Sequence, residues 1–341
     1  MTVIIIVNHN GHKDTIECLQ SLLALENQDY KVIIVDNSKD TKSLDQINAW
    51  LEKPTVVNTL GSINVSDINY DEKLNFKYYK DEDYLSESFG IYKYNLIHTF
   101  NNGFAAANNI AIRWALSDLK CDLFWLLNND TVVEKNSLDA MIESLKFSNV
   151  DISGSILLEY FNNNIIQSAG GKYYSYSGLD RPFLNGVNIH ELNKLKKINV
   201  DYPLGASLFV TRKFVDSVGA MEERYFLYFE ELDWVNRGRS KGLNFDICIG
   251  SRVYHKGGSS INNGSVKEKS KLGDYFGFRN RFLITKKFYK RKLIIVYVVT
   301  IVVLLNRLRK RQFDRVLFFI KLCLNPNISN DYILLESQKN T

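Results

Sequence analysis

The sequence predicts a doubly wound α/β fold with a mostly parallel sheet, on three observations. Short, continuously apolar, β-branched runs alternate with stretches of helical spacing four times between Val3 and Phe147, the pattern of parallel strands joined by crossover helices. The runs lack the polar alternation of a half-exposed strand, so both faces of the sheet are expected to be covered. Each run also stops on Asn or Asp, and in such sheets ligands lie beyond the carboxyl ends of the strands.

The first run is "VIIIV", Val3 to Val7, followed by Asp14 and Glu17 at capping-box spacing and a helical apolar face of Ile16, Leu19, Leu22 and Leu23. "KVIIVDNS" repeats the unit, with Asp36, Asn37 and Ser38 at the strand tip. A third unit, "LIHTFNNGFAAANNIAIRWAL", gives a strand, a turn at Asn101 to Gly103 and an Ala-rich helix. The fourth, "LFWLLNND", ends on Asn128, Asn129 and Asp130 ahead of a helix near Ser137 to Phe147. Between Lys53 and Tyr94 the pattern lapses into a polar, Tyr-rich stretch that reads as an insertion or long loop. Later, "DISGSILLEY" and "GASLFVTRKFVDSVG" supply strands, the second with a short helix after it. "YFLYFEELDWVNRGRSKG" has helical spacing from Phe229 to Arg239, and "NFDICIGSRVYHKGG" is a strand running into a His-bearing loop.

Composition bounds the function. With 341 residues, 45% of them hydrophobic, the chain can form one large domain with an appendage, and it is not a disordered sequence. A net charge of +5, from 43 basic and 38 acidic residues, is too mild to imply nucleic acid as a partner, and the excess gathers near the C-terminus. Cys18, Cys121, Cys248 and Cys323 form no CxxC pair and read as small apolar packers in a reducing compartment. The N-terminus has neither a basic lead nor a small-residue cleavage site, so a signal peptide or membrane-spanning start is not expected. The C-terminal run "LIIVYVVTIVVLL", Leu293 to Leu305, spans only about 20 Å as a helix against a hydrocarbon core of about 30 Å. Flanked by Lys and Arg, it is expected to lie in the headgroup region of an anionic membrane; a buried helix or dimer contact is the other reading.

Three places carry chemistry. Asp130, at a strand's carboxyl edge, is a hard-oxygen ligand suited to Mg²⁺ or Mn²⁺ bridging a diphosphate, although Asn and Asp favour turns in any case. Glu230, Glu231 and Asp233 share one helical turn in an aromatic setting, where mutual repulsion and burial raise a carboxyl pKa towards that of a general base. Asp233 is expected to pair with Arg237 one turn on, leaving Glu230 and Glu231 about 100° apart on the helix. His255 follows a strand and can complete a metal shell with Asp130, though a lone His is more often an ordinary hydrogen-bonded residue. "NNGFAAANN" is not a GxGxxG fingerprint and no GKS/T follows a Gly-rich loop, so dinucleotide and P-loop readings are weak.

The series "VNHNG", "VDNS", "NNGFAAANN", "LLNNDTVV", "GASLFVTRKFVDSVGAMEERYFLYFEELDW" and "VYHKGGSS" resembles, in order, the motifs of the family 2 inverting glycosyltransferases of GT-A fold, especially the bacterial rhamnosyltransferase-like members that build surface glycans. The resemblance covers roughly residues 1 to 262 and implies a nucleotide-binding half, an acceptor half and a separate helical, membrane-associating extension over 263 to 341. It implies that Asn8, Asp36 and Asn37 line the base and ribose pocket, with Asn101, Gly103 and Asn108 in the loop beside it. "NND" stands in place of the family's Asp-x-Asp, so Asn128, Asn129 and Asp130 are expected at the donor, with Asp130 and His255 on Mg²⁺ or Mn²⁺ and Asn128 a ligand of lower charge than usual. Glu231 matches the catalytic base, with Glu230 beside it, and Arg279 and Trp234 are expected at phosphate or acceptor. The implied reaction moves a sugar from dTDP-rhamnose or a UDP-sugar to a hydroxyl of a glycan or lipid-linked glycan, on the cytoplasmic face of a bacterial inner membrane. A sugar nucleotidyltransferase would need a Gly-rich, basic loop after the first strand, where "VNHNGHKD" has one Gly and one Lys; a catalytically silent nucleotide-sugar-binding protein draws only on Asn128.

Overall fold

The computed structural model describes residues 1–57, 73–194, 198–257, 270–325 and 327–338. The first apolar run forms strand β1 (Thr2–Asn8) and is followed by helix α1 (His12–Leu23); the second unit is β2 (Tyr30–Asp36) and α2 (Lys42–Glu52). Next come β3 (Phe76–Lys80), β4 (Tyr94–His98), α3 (Phe104–Ala115), β5 (Leu123–Asn128), the short β6 (Thr131–Val133) and α4 (Ser137–Ser148). The second half adds β7 (Ile152–Glu159), β8 (Ile166–Ser168), a hairpin of β9 (Gly171–Tyr174) and β10 (Leu179–Pro182), β11 (Ser207–Thr211), α5 (Arg212–Val218), α6 (Glu230–Arg239) and β12 (Phe245–His255). Four helices close the chain: α7 (Lys271–Phe288), α8 (Leu293–Arg309), α9 (Phe313–Leu324) and α10 (Asn330–Gln338).

The main sheet runs β3-β4-β2-β1-β5-β11-β7-β12-β6, with β8 paired to β7. Its first five strands are all parallel. The sheet turns mixed where β11 lies antiparallel between β5 and β7. Alternation along β1 sends Val3 and Ile5 into one core and Ile4 and Ile6 into the other, so both faces are covered as the apolar runs require. Trp125 stacks on Phe209 at 4.5 Å between ring centres, joining β5 to β11 at the switch from parallel to antiparallel.

Two local expectations are corrected. Asp14 and Glu17 do not make a capping box: α1 starts at His12, two residues earlier, with no side-chain cap bond, and both carboxylates instead receive the ammonium of Lys256. The Lys53–Tyr94 stretch contains an edge strand, β3, whose Lys-bearing sequence FKYYK hides its pairing with β4, as charged edge strands do. Residues 58–72 of that stretch lie outside the described residues, as do Gly258 and the expected boundary near 262.

Helices α7 to α10 pack through an aromatic cluster that includes Tyr275, Phe276, Phe278, Phe318 and Phe319, with Phe278 and Phe319 stacked at 3.7 Å. Phe226, from the segment just before α6, joins this cluster by stacking on Phe276 at 4.6 Å. The apolar run seen in sequence belongs to the longer α8, which leaves Ile294, Val298, Ile301, Val302 and Leu305 exposed in a helical stripe. A second row, Phe313, Leu317, Ile320 and Leu324, is exposed on α9. None of the described helices is long and apolar enough to cross a membrane.

Phe209→Ala removes a fully buried ring from the Trp125 stack and is expected to lower unfolding stability in urea by about 3–5 kcal/mol. Phe161→Ala, at an exposed ring, should fall within about 0.5 kcal/mol of the parent; equal effects would show that the stack does not hold the two halves together.

Candidate active site

At the carboxyl edge of the parallel strands the tips hold one another. Asn8, last in β1, donates its amide to Asp36 at the tip of β2 and, at 2.9 Å, to Ser43 of α2. Its oxygen accepts from Thr15 at 2.7 Å, from Gly11 N–H at 3.2 Å and from the Asn129 amide at 3.4 Å. Asp36 also accepts from Ser38 N–H at 2.7 Å. Asn8 and Asp36 are both fully buried, so the expectation that Asn8 lines the base pocket gives way to a positioning role: it sets the rotamer of Asp36 and the turn of Asn129. Asn37 and Asn101 meet across the edge at 3.2 Å, and Asn101 also accepts from Gly103 N–H at 3.1 Å. His9 reaches the Asn37 side chain at 3.0 Å and His98 the Ser38 carbonyl at 3.2 Å. Neither imidazole was legible as part of the edge, because no ligand spacing marks them. Asn108 is buried and donates back to Phe104 O at 2.9 Å within its own helix, so it faces no ligand.

One strand further on, β5 ends at Asn128, and the turn delivers Asp130 beside His255 of β12. His255 Nε2 is 3.2 Å from Asp130 Oδ1 and 3.4 Å from the Asn128 amide nitrogen. Its Nδ1 lies 2.5 Å from Gln167 Oε1, an acceptor that places a proton on Nδ1, so Nε2 donates to Asp130 when the ring is charged and carries a lone pair when it is neutral. Burial lowers the imidazole pKa, but the charge of Asp130 and its hydrogen bond outweigh this and hold it above the usual value. Among the described residues no group of three or more His, Cys, Asp or Glu is placed to hold a metal. One carboxylate and one imidazole, whose Nε2 offers a lone pair when neutral, would nevertheless suit a divalent ion with its remaining ligands from donor and solvent, and the imidazole favours Mn²⁺ over Mg²⁺.

The acidic pair sits at the start of α6 behind a strained segment. Phe226, Tyr228 and Phe229 all have positive φ, at 61°, 71° and 74°, a conformation that costs bulky side chains about 1–3 kcal/mol each unless the surroundings impose it. Asn280 of α7 imposes it by donating to the carbonyls of Tyr225, Leu227 and Tyr228 at 2.8, 2.8 and 3.0 Å. Arg279 adds bonds to Arg224 O at 2.6 Å and Tyr225 O at 3.1 Å, and reaches Ile328 O and Asn330. It is buried at 2% exposure, so it does not meet a phosphate as the resemblance implied; burial pulls its pKa down to about 10. Trp234 is likewise not an acceptor contact: it is fully buried, edge-on to Phe214, with its indole N–H on Gly219 O at 2.8 Å. A sequence shows that Trp and Arg lie near the pair but not which way they point. Asp233 takes Tyr225, Arg237 and Lys287 as donors and is structural.

Glu230 is buried and Glu231 partly exposed, and neither Oε2 has a hydrogen-bond partner among the described residues. Glu231 Oε1 accepts from Gly205 N–H at 3.2 Å. Burial raises both pKa values. Glu230 lies well above its usual value, helped by the charge of Glu231, and Glu231 is pushed up to about 6 by burial against backbone bonds from its own N–H and Gly205, with Asp180 adding to the rise. The pair and the metal-ligand candidates meet at one short segment: Asn128 N–H donates to Ala206 O at 3.0 Å, while the preceding Gly205 holds Glu231. Gln167 and Asp180 lie in none of the motifs, and Gly205 opens one without its sequence showing that its N–H holds Glu231.

No family model matches the chain. It is 25% identical over 211 residues to the low-salt glycan biosynthesis hexosyltransferase Agl10 of Haloferax volcanii, covering 60% of this chain and 64% of that protein. It is 24% identical over 261 residues to the rhamnosyltransferase WbbL of Escherichia coli, covering 75% of this chain and 83% of the relative. The chain thus spans just under two thirds of the length of Agl10. Among solved structures, GalNAc-T7 with UDP, GalNAc and Mn²⁺ superposes at a TM-score of 0.52 with 12% identity, over 75% of this chain and 43% of that one, which establishes the shared fold. A mixed sheet with acids gathered at its carboxyl edge is thus a GT-A architecture. In motif order and in these relatives the chain is similar to the family 2 glycosyltransferases of GT-A fold.

Asn280→Ala takes the Asn280 donor from the Leu227 and Tyr228 carbonyls of the strained segment, leaving Tyr225 O to Arg279 and Leu227 N–H, and is expected to lower unfolding stability by about 2–3 kcal/mol in urea. Asn280→Asp, equal in size but lacking the amide donor, should match it. Stability unchanged in both variants would mean that the segment holds its shape without α7.

Proposed function

We propose that the protein is an inverting, divalent-metal-dependent glycosyltransferase that moves a sugar from a nucleotide-diphosphate sugar to a hydroxyl of a glycan or lipid-linked glycan. The observation that carries this reading is that adjacent residues Gly205 and Ala206 hold Glu231 and the backbone of Asn128, whose side chain lies 3.4 Å from His255 of the Asp130–His255 pair. Asp130 and His255 are the residues to hold the ion, and Asn37 and Asn101 to border the nucleotide. A bound divalent cation supplies charge neutralisation for the departing diphosphate. Glu231 accepts the proton of the attacking hydroxyl, while Gly205 N–H holds its Oε1. Burial, and next the charge of Glu231, push the Glu230 carboxyl well above its usual range, which favours its neutral form beside the base. Attack from the face opposite the diphosphate inverts the anomeric centre in one displacement. UDP and Mn²⁺ in the structurally similar GalNAc-T7 are ligands of the class proposed here, and the glycan-building names of the two relatives favour surface-glycan assembly with a rhamnosyl or other hexosyl donor.

The catalytic domain is proposed to run to about residue 262, with 263–341 as a helical extension. The bare apolar rows of α8 and α9, edged by exposed Lys290, Arg291, Arg309 and Lys310, support a peripheral seat on the cytoplasmic face of an anionic inner membrane.

A screen of nucleotide-sugars with Mn²⁺ or Mg²⁺ is expected to single out one donor, read as release of nucleoside diphosphate. With that donor, Glu231→Gln should lower kcat about 10²–10⁴-fold. Because the base must be ionised, wild-type activity should fall as pH drops through about 6, and this acid limb should vanish in the variant. Donor binding without release in either protein would point to a silent binding protein instead. Chelator should abolish turnover. Asn128→Asp, restoring a second carboxylate beside His255 Nε2, should lower the Mn²⁺ concentration for half-maximal activity about tenfold; turnover indifferent to chelator would remove the metal role of Asp130 and His255.

A further inference from the structure

Strand β8 is three residues long and, among the described strands, pairs only with β7. Its register slips: Ser168 lies opposite Leu157 but Ile166 opposite Leu158, which leaves Gln167 as the extra residue of a β-bulge. Ile166 and Ser168 on either side are fully buried, whereas Gln167 is only partly so. Bulges re-aim a side chain, and here both ends of one amide land on one residue. Gln167 Nε2 donates to the His255 carbonyl at 3.1 Å, and Gln167 Oε1 lies 2.5 Å from His255 Nδ1. The Gln167 backbone is held in turn by the Asn185 amide, which donates to its carbonyl at 2.9 Å. Gly257, at φ +74°, leaves room for the grip, since a Cβ there would stand 3.0 Å from Gln167 Nε2.

The backbone decides which way round the amide sits. A carbonyl only accepts, so the NH₂ end of Gln167 must face His255 O, where Tyr160 N–H also donates at 3.3 Å. Turning the amide over would set two oxygens against each other. Oε1 is thereby committed to Nδ1, where it requires a proton. A neutral imidazole has one N–H, so the lone pair falls to Nε2, the nitrogen 3.2 Å from Asp130. Resting on the metal-dependent reading of this site, we propose that Gln167 is a positioning residue: it makes Nε2 the nitrogen that His255 offers to the divalent ion, and holds the ring there without adding charge. A carboxylate in its place would add charge as well as direction. Lys256, next along the chain, is tied down by other bonds: its N–H donates to Asp130 O at 3.0 Å and its ammonium to Asp14 and Glu17 at 2.6 and 2.5 Å. It anchors the strand end by bonds that do not involve the ring, and so serves as the comparison.

The test reads the ring and the ion separately in the full chain. Two-bond ¹⁵N–¹H spectra of ¹⁵N-histidine-labelled protein, at a pH alkaline enough to neutralise the ring, report the tautomer with no metal present; H255Q identifies the His255 signal among the five histidines. The wild type should show Nδ1–H alone, Q167M a mixture with Nε2–H, and Q167E, which keeps an acceptor opposite Nδ1, should return to Nδ1–H. K256M should keep the wild-type pattern. Mn²⁺ titrated in the presence of UDP and followed by electron paramagnetic resonance should bind Q167M about 10–100-fold more weakly than the wild type, with Q167E recovering part of the loss. A wild-type ring protonated at Nε2, or a tautomer unchanged in Q167M, would overturn the proposal. So would equal Mn²⁺ affinity in Q167M and the wild type, or a tautomer shift in K256M as large as that in Q167M, which would mark general loosening of the strand end. No Mn²⁺ bound by the wild type would count against the metal reading instead, and the spectra without metal would then decide for or against Gln167 as the residue that sets the ring.

Discussion

One backbone contact holds the site together. Phe104 N–H, at the start of α3, donates at 2.8 Å to the carbonyl of Phe226, and Gly103, with φ +94°, lies so close that a Cβ would stand 2.5 Å from that oxygen. The donor-side loop and the acid-bearing segment are therefore one joint, and only Gly lets the chains approach this far. From this joint the strain in Phe226, Tyr228 and Phe229 aims α6, and Asn280 with Arg279 braces it from behind. The C-terminal helices thus do more than cover apolar surface: through α7 they fix where Glu230 and Glu231 stand.

Two carboxylate environments follow from that geometry, and they are set opposite ways. Asp130 has an imidazole at 3.2 Å that carries the stabilising charge when protonated and offers a lone pair when neutral. Glu230 and Glu231 face burial and each other, with one backbone N–H from Gly205 as the main relief outside their own helix. Gly205 and Ala206, adjacent in sequence, hold Glu231 and the Asn128 backbone two residues before Asp130.

Much of this was legible in the sequence. The covered strands announced themselves as unbroken apolar runs, and the polar tips at Asp36, Asn128 and Asp130 marked the carboxyl edge, because strand period and turn preference are local properties. The acidic pair was equally plain. What failed was direction and partnership. Trp234 and Arg279 lie near the pair in sequence but point into packing and onto carbonyls, which only the tertiary arrangement decides. Asn8 and Asn108 carry donor-like amides that turn out to hold Asp36 and a helix carbonyl. The edge strand at Phe76–Lys80 was concealed by its own charges, and the roles of Gln167 and Gly205 gave no signal, since they arise from contacts with residues distant in the chain.

The central claim is spatial: one cleft at the carboxyl edge of the sheet places a nucleoside diphosphate between Asp130 and Glu231. A crystal structure of the protein with Mn²⁺ and the nucleoside diphosphate of its donor measures this most directly. The expected result is an ion bound by Asp130 and His255, the diphosphate bridging from it past Asn37 and Asn101, and the terminal phosphate facing Glu231 across a gap the size of one sugar. A nucleotide seated elsewhere, or one whose terminal phosphate points away from Glu231, would contradict it.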